Sequence, residues 1–260
     1  MKSFAVRISI TSVYILTLSA MMNLAVMGCG DEDETTSNDI AETVIEVPPA
    51  SGYDPQIDAA DFTTEITNQY FTLAPGTTHI YELKTDEETE RIEVQVTNET
   101  REVMGVETVV VWDRVWLDGE LIEDTKDWFA QDSEGSVWYF GEESKDMEGG
   151  VVVSTAGSWE AGVDGAKPGI VMMALPKVGD AYRQEYYEGE AEDLGEVLAL
   201  GERIEVPLGS YDDCLKTKDW NPLEPDAIEN KYYCPAVGFV ALEVDIDSGD
   251  RVELIEYSSE

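Results

Sequence analysis

Positive charge is scarce in this 260-residue chain: 16 Lys and Arg stand against 56 Asp and Glu, a formal net charge of −40. That balance excludes nucleic-acid binding, which needs clustered bases to displace counterions from phosphates. Histidine is nearly absent. His79, the one copy, cannot build the clustered sites of zinc enzymes, and a Ser-His-Asp triad would have to be assembled around it. Three cysteines, Cys29, Cys214 and Cys234, are too few for a thiolate metal cage. No GxSxG, HExxH, P-loop or GxGxxG context occurs, so no cofactor, metal or catalytic residue is expected. No segment shows a sustained 3.6 period with helix caps, so the chain is not read as helical.

What is present begins with a leader. Residues 1 to 28 run from a basic start, Lys2 and Arg7, through the apolar ISITSVYILTLSAMMNLAVMG, without one acidic residue. That is the order of a secretory signal peptide, and a run of nearly 20 apolar residues is also what a spanning helix needs. Val26-Met27-Gly28-Cys29 resembles the lipobox of bacterial lipoproteins, where an apolar, a variable and a small residue precede an invariant cysteine. The resemblance implies that the leader is cut before Cys29 and that Cys29 carries the lipid. Two or three acyl chains anchor stably where one does so only marginally, at about 0.8 kcal/mol per buried CH₂. In such lipoproteins an Asp after the cysteine favours retention at the inner membrane. Here Gly30 follows, which implies the outer membrane or the cell surface.

Residues 29 to 61 read as a lipidated, acidic tether. They are rich in Asp, Glu, Thr, Ser and Pro with little hydrophobic periodicity, a composition that remains disordered and extended. Residues 62 to 260 read as one all-β domain. RIEVQV, TVVVWDRVWL, SVWYF, GFVALEV and RVELIEY are rich in β-branched and aromatic residues. In RIEVQV, Ile92, Val94 and Val96 share one face and Arg91, Glu93 and Gln95 the other. Turn residues recur at TDEET (85–89), LDGE (117–120), DSEGS (132–136), SYDD (210–213) and DSGD (247–250). Consecutive hairpins give an antiparallel meander, and so many strands must curl into a half-barrel or barrel. The glycine-rich segment 142 to 177 is read as a long loop or an insert across one face.

Cys214 and Cys234 fall opposite each other when the hairpin around NPLEP is closed, and an exported chain is expected to join them in a disulfide. The stretches NQYFTLAPGTTHIYE (68–82), DWFAQDSEGSVWYFGE (127–142) and KDWNPLEPDAIENKYYCPAVGFVALEV (218–244) look like a group of uncharacterised bacterial secreted proteins and lipoproteins. The pattern is similar, more loosely, to the incomplete barrels of lipoprotein carriers, whose curved sheets wrap an apolar cavity. That resemblance implies a hydrophobic cargo.

Three features bear on chemistry. His79 falls in the first long strand and reads as a half-buried strand residue. The aromatic series Trp112, Trp116, Trp128, Phe129, Trp138, Tyr139, Phe140, Trp159, Tyr186 and Tyr187 supplies either the lining of a cavity or an ordinary β core. Asp245-Ile246-Asp247-Ser248-Gly249-Asp250 has the look of a calcium loop but lacks the bidentate Glu at the expected distance, and it fits a hairpin turn. The carboxylates are too numerous for any pair to be singled out. The resulting expectation is a non-enzymatic envelope lipoprotein, held to the membrane through the lipid on Cys29, that binds a hydrophobic small molecule or a protein partner. The alternatives are an extracytoplasmic hydrolase using a carboxylate pair and a calcium-dependent adhesion or assembly protein.

Overall fold

The computed structural model describes residues 50 to 259. The leader, the lipobox with Cys29 and the first part of the acidic linker lie outside the described residues. After a 3-10 turn at Ala59–Asp61, the strands are β1 (Phe62–Thr63), β2 (Ile66–Asn68), β3 (Phe71–Leu73), β4 (Thr77–Lys84), β5 (Thr89–Val103), β6 (Val106–Leu117), β7 (Glu120–Asp132), β8 (Val137–Glu143), β9 (Asp146–Glu148) and β10 (Val151–Ser154). They continue as β11 (Trp159–Glu160), β12 (Lys167–Met172), β13 (Ala181–Arg183), β14 (Glu185–Tyr186), β15 (Leu194–Val206), β16 (Gly209–Asn221), β17 (Glu224–Cys234), β18 (Phe239–Asp245) and β19 (Arg251–Ser259). No α-helix occurs among the described residues.

Two antiparallel meanders, β4 to β8 and β15 to β19, are joined where β19 pairs back onto β4. On the opposite side β12 pairs with β8 and β14, while β13 pairs with β15. The sheet thus curls into a nearly complete barrel, the all-β architecture that the strand pattern indicated. Closure removes the exposed edges that so large a sheet would otherwise present.

Local chemistry sets the register. In β5 Glu90, Ile92, Val94 and Val96 are buried in alternation, and Arg91, Glu93 and Gln95 between them face outward. The β6–β7 hairpin turns on Asp118-Gly119, both with positive φ (50° and 87°), the mirror-image turn whose twist matches the strands. Its Asp118 side chain also accepts a hydrogen bond from the Thr89 backbone N–H at 3.0 Å.

Three stretches depart from the sequence reading. SYDD is not a turn. The chain reverses at 207–208, and Ser210 to Asp213 run within β16, where Asp213 takes a positive φ of 59° and the pairing with β15 shifts register. The segment from Glu142 to Lys177 is not simply a loop, because it contains β9 to β12 and β12 is part of the barrel wall. Gly169 makes this possible: a Cβ there would lie 2.4 Å from Gln184 backbone atoms, so only glycine lets β12 approach. Residues 53 to 61, assigned by composition to the linker, lie against the wall. Tyr53 Oη donates to Pro168 O at 2.9 Å, and Lys167 Nζ meets Asp54 Oδ1 at 2.5 Å.

The barrel has two unlike halves. At the end where β5, β7 and β17 finish, the β2–β3 hairpin plugs the interior with Ile66, Phe71 and Leu73. Phe71 packs on Phe239, Phe129 and Tyr233 with ring centroids 4.8, 5.5 and 6.3 Å away. Burial of each such side chain contributes about 1.5–3 kcal/mol relative to exposure. Cys214 and Cys234 are joined in a disulfide in this half, beside the Leu215–Tyr233 pair. The opposite half is polar.

Candidate functional site

In the polar half, carboxyl side chains take positions that apolar residues hold lower in the same strands. Glu90 on β5, Asp113 on β6, Glu123 and Asp127 on β7 and Glu142 on β8 are each 3% exposed or less. Glu185 on β14, Asp193 ahead of β15, Asp219 on β16, Glu229 on β17 and Glu243 on β18 continue the series at 5% or less. Lys231 on β17 is the base set among them, its Nζ 3.7 Å from Asp219 and Glu243 and 3.8 Å from Glu229. Arg183, also buried, stacks over Tyr186 and Tyr53.

Neutral donors serve some of these acids. Tyr139 Oη donates to Asp127 Oδ1 at 2.7 Å, Gln184 Nε2 to Asp219 Oδ2 at 2.8 Å and Thr217 Oγ1 to Asp219 Oδ1 at 2.6 Å. Both Asp113 oxygens are sealed from solvent with no hydrogen-bond partner among the described residues. Burial and mutual repulsion act in one direction on such groups. Burial, reinforced by Asp127, Glu123 and Glu90, raises the Asp113 carboxyl well above the usual carboxylate range. Glu142, Glu185 and Glu243 are raised likewise, by burial first and by neighbouring acids second. Burial pushes Asp127 up to about 7 against the pull of Tyr139. Glu229 is also pushed to about 7, with burial dominant and Lys231 opposing it. Burial pulls Lys231 down, but Glu243, Asp219 and Glu229 outweigh it and hold the ammonium above its ordinary range.

Above this interior, at the barrel mouth, the end of β4 and the β4–β5 connection, the start of β17 and the β18–β19 connection line a pocket of about 780 Å³. Eight of its thirteen lining residues are acids: Asp86, Glu87, Glu88, Glu224, Asp226, Asp245, Asp247 and Asp250. None is basic, and Leu83, Pro225 and Ala227 add apolar surface. The pocket borders the interior directly, since Leu83 pairs with Glu90 and Asp245 with Glu229. The stretch that looked like a calcium loop forms one wall as a turn. Asp245 Oδ1 accepts from the backbone N–H groups of Asp247 and Ser248, at 2.9 and 2.6 Å. Among the described residues no group of three or more His, Cys, Asp or Glu is disposed to hold a metal ion.

The other residues singled out by sequence lie elsewhere. His79 is 1% exposed in β4, among Tyr257, Phe239 and Tyr81, and burial holds its pKa down to about 4. The aromatic series does not line one cavity. Phe129, Tyr139, Phe140 and Trp159 are core, whereas Trp112 stacks under Arg114 on the outer wall at 3.9 Å. Cys29 is outside the described residues. Sequence reasoning missed the interior acids, although strand parity carried the signal: Glu90 shares the face of Ile92, Val94 and Val96, and Asp113 that of Val111 and Val115.

These features define a plugged antiparallel barrel with an acid-lined interior beneath an acidic mouth. No protein-family model and no curated protein matches the chain. Among solved structures, the chain is similar to that described as "a putative lipoprotein from Parabacteroides distasonis". The two share 11% identity, with 73% of this chain and 98% of that one covered, at a TM-score of 0.40. A likeness of that size carries neither fold nor function across.

Proposed function

We propose that the chain is an envelope lipoprotein, anchored through Cys29 at the outer membrane or cell surface, whose barrel mouth binds a cationic ligand without catalysis. The observation that carries the binding is the 780 Å³ pocket, where eight carboxylates and no base surround a partly apolar lining. A ligand with amines along an aliphatic stem, such as a polyamine or a lysine-rich segment of a partner, satisfies both kinds of surface. The hydrophobic cargo implied by the resemblance to lipoprotein carriers fits less well. The space in which such a cargo would sit is occupied by an aromatic plug in one half and by carboxyls in the other. A carboxylate-pair hydrolase needs acids that reach substrate, and the closely coupled pairs here are sealed.

Titration of the full chain with spermine and with a fluorescent fatty acid at low salt separates the readings. Spermine is expected to bind, to weaken steeply between 50 mM and 500 mM NaCl, and to be lost in the Asp226→Asn/Asp247→Asn variant. Fatty-acid binding without spermine binding would overturn the proposal in favour of a lipid carrier. The anchor has its own test: metabolic labelling with an acyl-chain probe should mark the wild-type chain and leave Cys29→Ala unlabelled.

A further inference from the structure

The acids beneath the pocket are too well sealed for ligand contact, and neither the pocket nor the anchor accounts for them. Their arrangement has three properties that an ordinary solvated acidic surface lacks. They occur on wall strands of both meanders and on β14 between them, from Glu90 on β5 to Glu243 on β18, so one cluster spans the interior. They outnumber the buried lysine set among them by a wide margin. And Asp113, 3% exposed, has two carboxylate oxygens with neither solvent nor a hydrogen-bond partner among the described residues. An ionised carboxylate in that position would be an uncompensated buried charge, whereas a protonated one carries no charge to bury.

We propose that this half of the barrel is a proton-holding site, in which neighbouring carboxyls share protons while the barrel is closed and release them when it opens. Asp113 is faced by Glu90 from β5, by Glu123 and Asp127 from β7 and by Lys231 from β17. Glu142 is faced by Asp127 and Glu123 from β7, by Glu185 from β14 and by Asp193. Glu243 is faced by Glu229 and Lys231 from β17, Asp219 from β16 and Glu90 from β5. Of the charged groups just named, all but Lys231 are acids, with the neutral Tyr81 near Asp113 and Glu243 and Tyr139 on Asp127, so each proton lost makes the next harder to lose, and the group titrates as one coupled set.

The direction of the linkage is opposite to that of most proteins. These carboxyls hold protons more tightly folded than unfolded. Their contribution is fully present below the unfolded carboxylate range, near pH 4, and is lost as pH rises through about 7, where Asp127 and Glu229 ionise, and beyond. Surface repulsion also grows with pH, but it is screened: the Debye length falls to about 3 Å at 1 M salt, whereas buried groups are screened much less.

Thermal unfolding of the full chain in 1 M NaCl tests this. The melting temperature is expected to fall by roughly 10 °C or more between pH 5 and pH 8. Denaturation at pH 6 in weak buffer should release protons to the solution. The Asp113→Asn/Glu142→Gln variant should show a shallower pH slope and melt higher than wild type at pH 8. A flat profile in 1 M NaCl, proton uptake on unfolding at pH 6, or an unchanged slope in the variant would each overturn the proposal. Should the variant fail to fold, the direction of proton exchange in the wild-type chain still decides.

Discussion

Tyr139 Oη donates a 2.7 Å hydrogen bond to Asp127 Oδ1 inside the barrel, from one strand to its neighbour. The phenol is the neutral group that draws the Asp127 carboxyl down, and burial is what drives it up to about 7. Tyr139→Phe removes the donor and leaves the ring. The Asp127 pKa is then expected to rise above its wild-type value, and stability at pH 8 to fall by about 1–3 kcal/mol. At pH 5, where the carboxyl is protonated, the loss should be smaller. Carboxyl NMR titration and denaturant midpoints at the two pH values measure both quantities.

Lys231 stands 3.7–3.8 Å from three carboxylates and is 3% exposed. Replacing it with Met keeps most of the aliphatic volume and removes the cation beside Glu243, Asp219 and Glu229. At pH 8 this should cost about 3–5 kcal/mol, because uncompensated buried charge remains. At pH 5 the cost should shrink, since Glu229, which titrates near 7, is then neutral and burial favours the protonated form of Glu243 as well. A loss of equal size at both pH values would mean that Lys231 acts by packing alone.

Much of this was legible in the sequence, and the part that was not has a physical reason. Strand existence followed from alternation: residues 91 to 96 announce both their strand and its buried face. Closure into a barrel followed from the number of hairpins. The interior acids were hidden because alternation was read only through apolar residues. Glu229 and Lys231 keep the parity of buried Tyr233, and Glu243 that of Phe239 and Ala241. With 56 acids in the chain, however, a buried one looks like any other until the wall is closed around it. The turn at SYDD was misplaced because Asp213 supplies its left-handed φ to an irregularity inside β16 and not to a reversal. Residues 53 to 61 were assigned to the linker by composition, which cannot register one tyrosine hydroxyl finding Pro168 O.

Gly169 sits where β12 passes Arg183, the last residue of β13, and Gln184, which joins β13 to β14. An added Cβ would lie 2.4 Å from Gln184 C and O and 2.5 Å from Arg183 O, all of them backbone atoms that cannot step aside cheaply. Gly169→Ala should therefore force open the seam and destabilise by roughly 3 kcal/mol or more, with new amide exchange concentrated in β12 and β14. Gly119→Ala is a useful control. Nothing lies within 4 Å of its Cβ position, so its cost is confined to the positive φ of 87°.

The Cys214–Cys234 bond joins residues 20 apart across the β16–β17 hairpin, in the apolar half. A loop of this length implies about 3 kcal/mol from constraint of the unfolded chain. Reduction, or the double change to Ala, should lower stability by that amount at every pH from 5 to 8. The pH profile itself should keep its shape, because the disulfide lies away from the interior carboxyls. A change in the slope would indicate that the disulfide helps hold the interior carboxyls in their buried arrangement.

His79 supplies the opposing titration. Its ring lies 4.9 Å from that of Tyr257 and 5.1 Å from that of Phe239, and burial lowers its pKa from 6.5 to about 4. The neutral ring is therefore favoured in the fold. Its contribution is fully present above pH 6.5 and is lost as pH falls toward 4, the interval over which the interior carboxyls are gaining protons. His79→Phe preserves an aromatic among aromatics and abolishes the titration. At pH 7 the variant should differ from wild type by less than about 1.5 kcal/mol. At pH 4.5 it should gain roughly 2.5 kcal/mol relative to wild type, and the pH of maximum stability should move downward. If the variant instead tracks wild type in parallel from pH 7 to 4.5, the imidazole is charged in the folded barrel and has a counter-ion there.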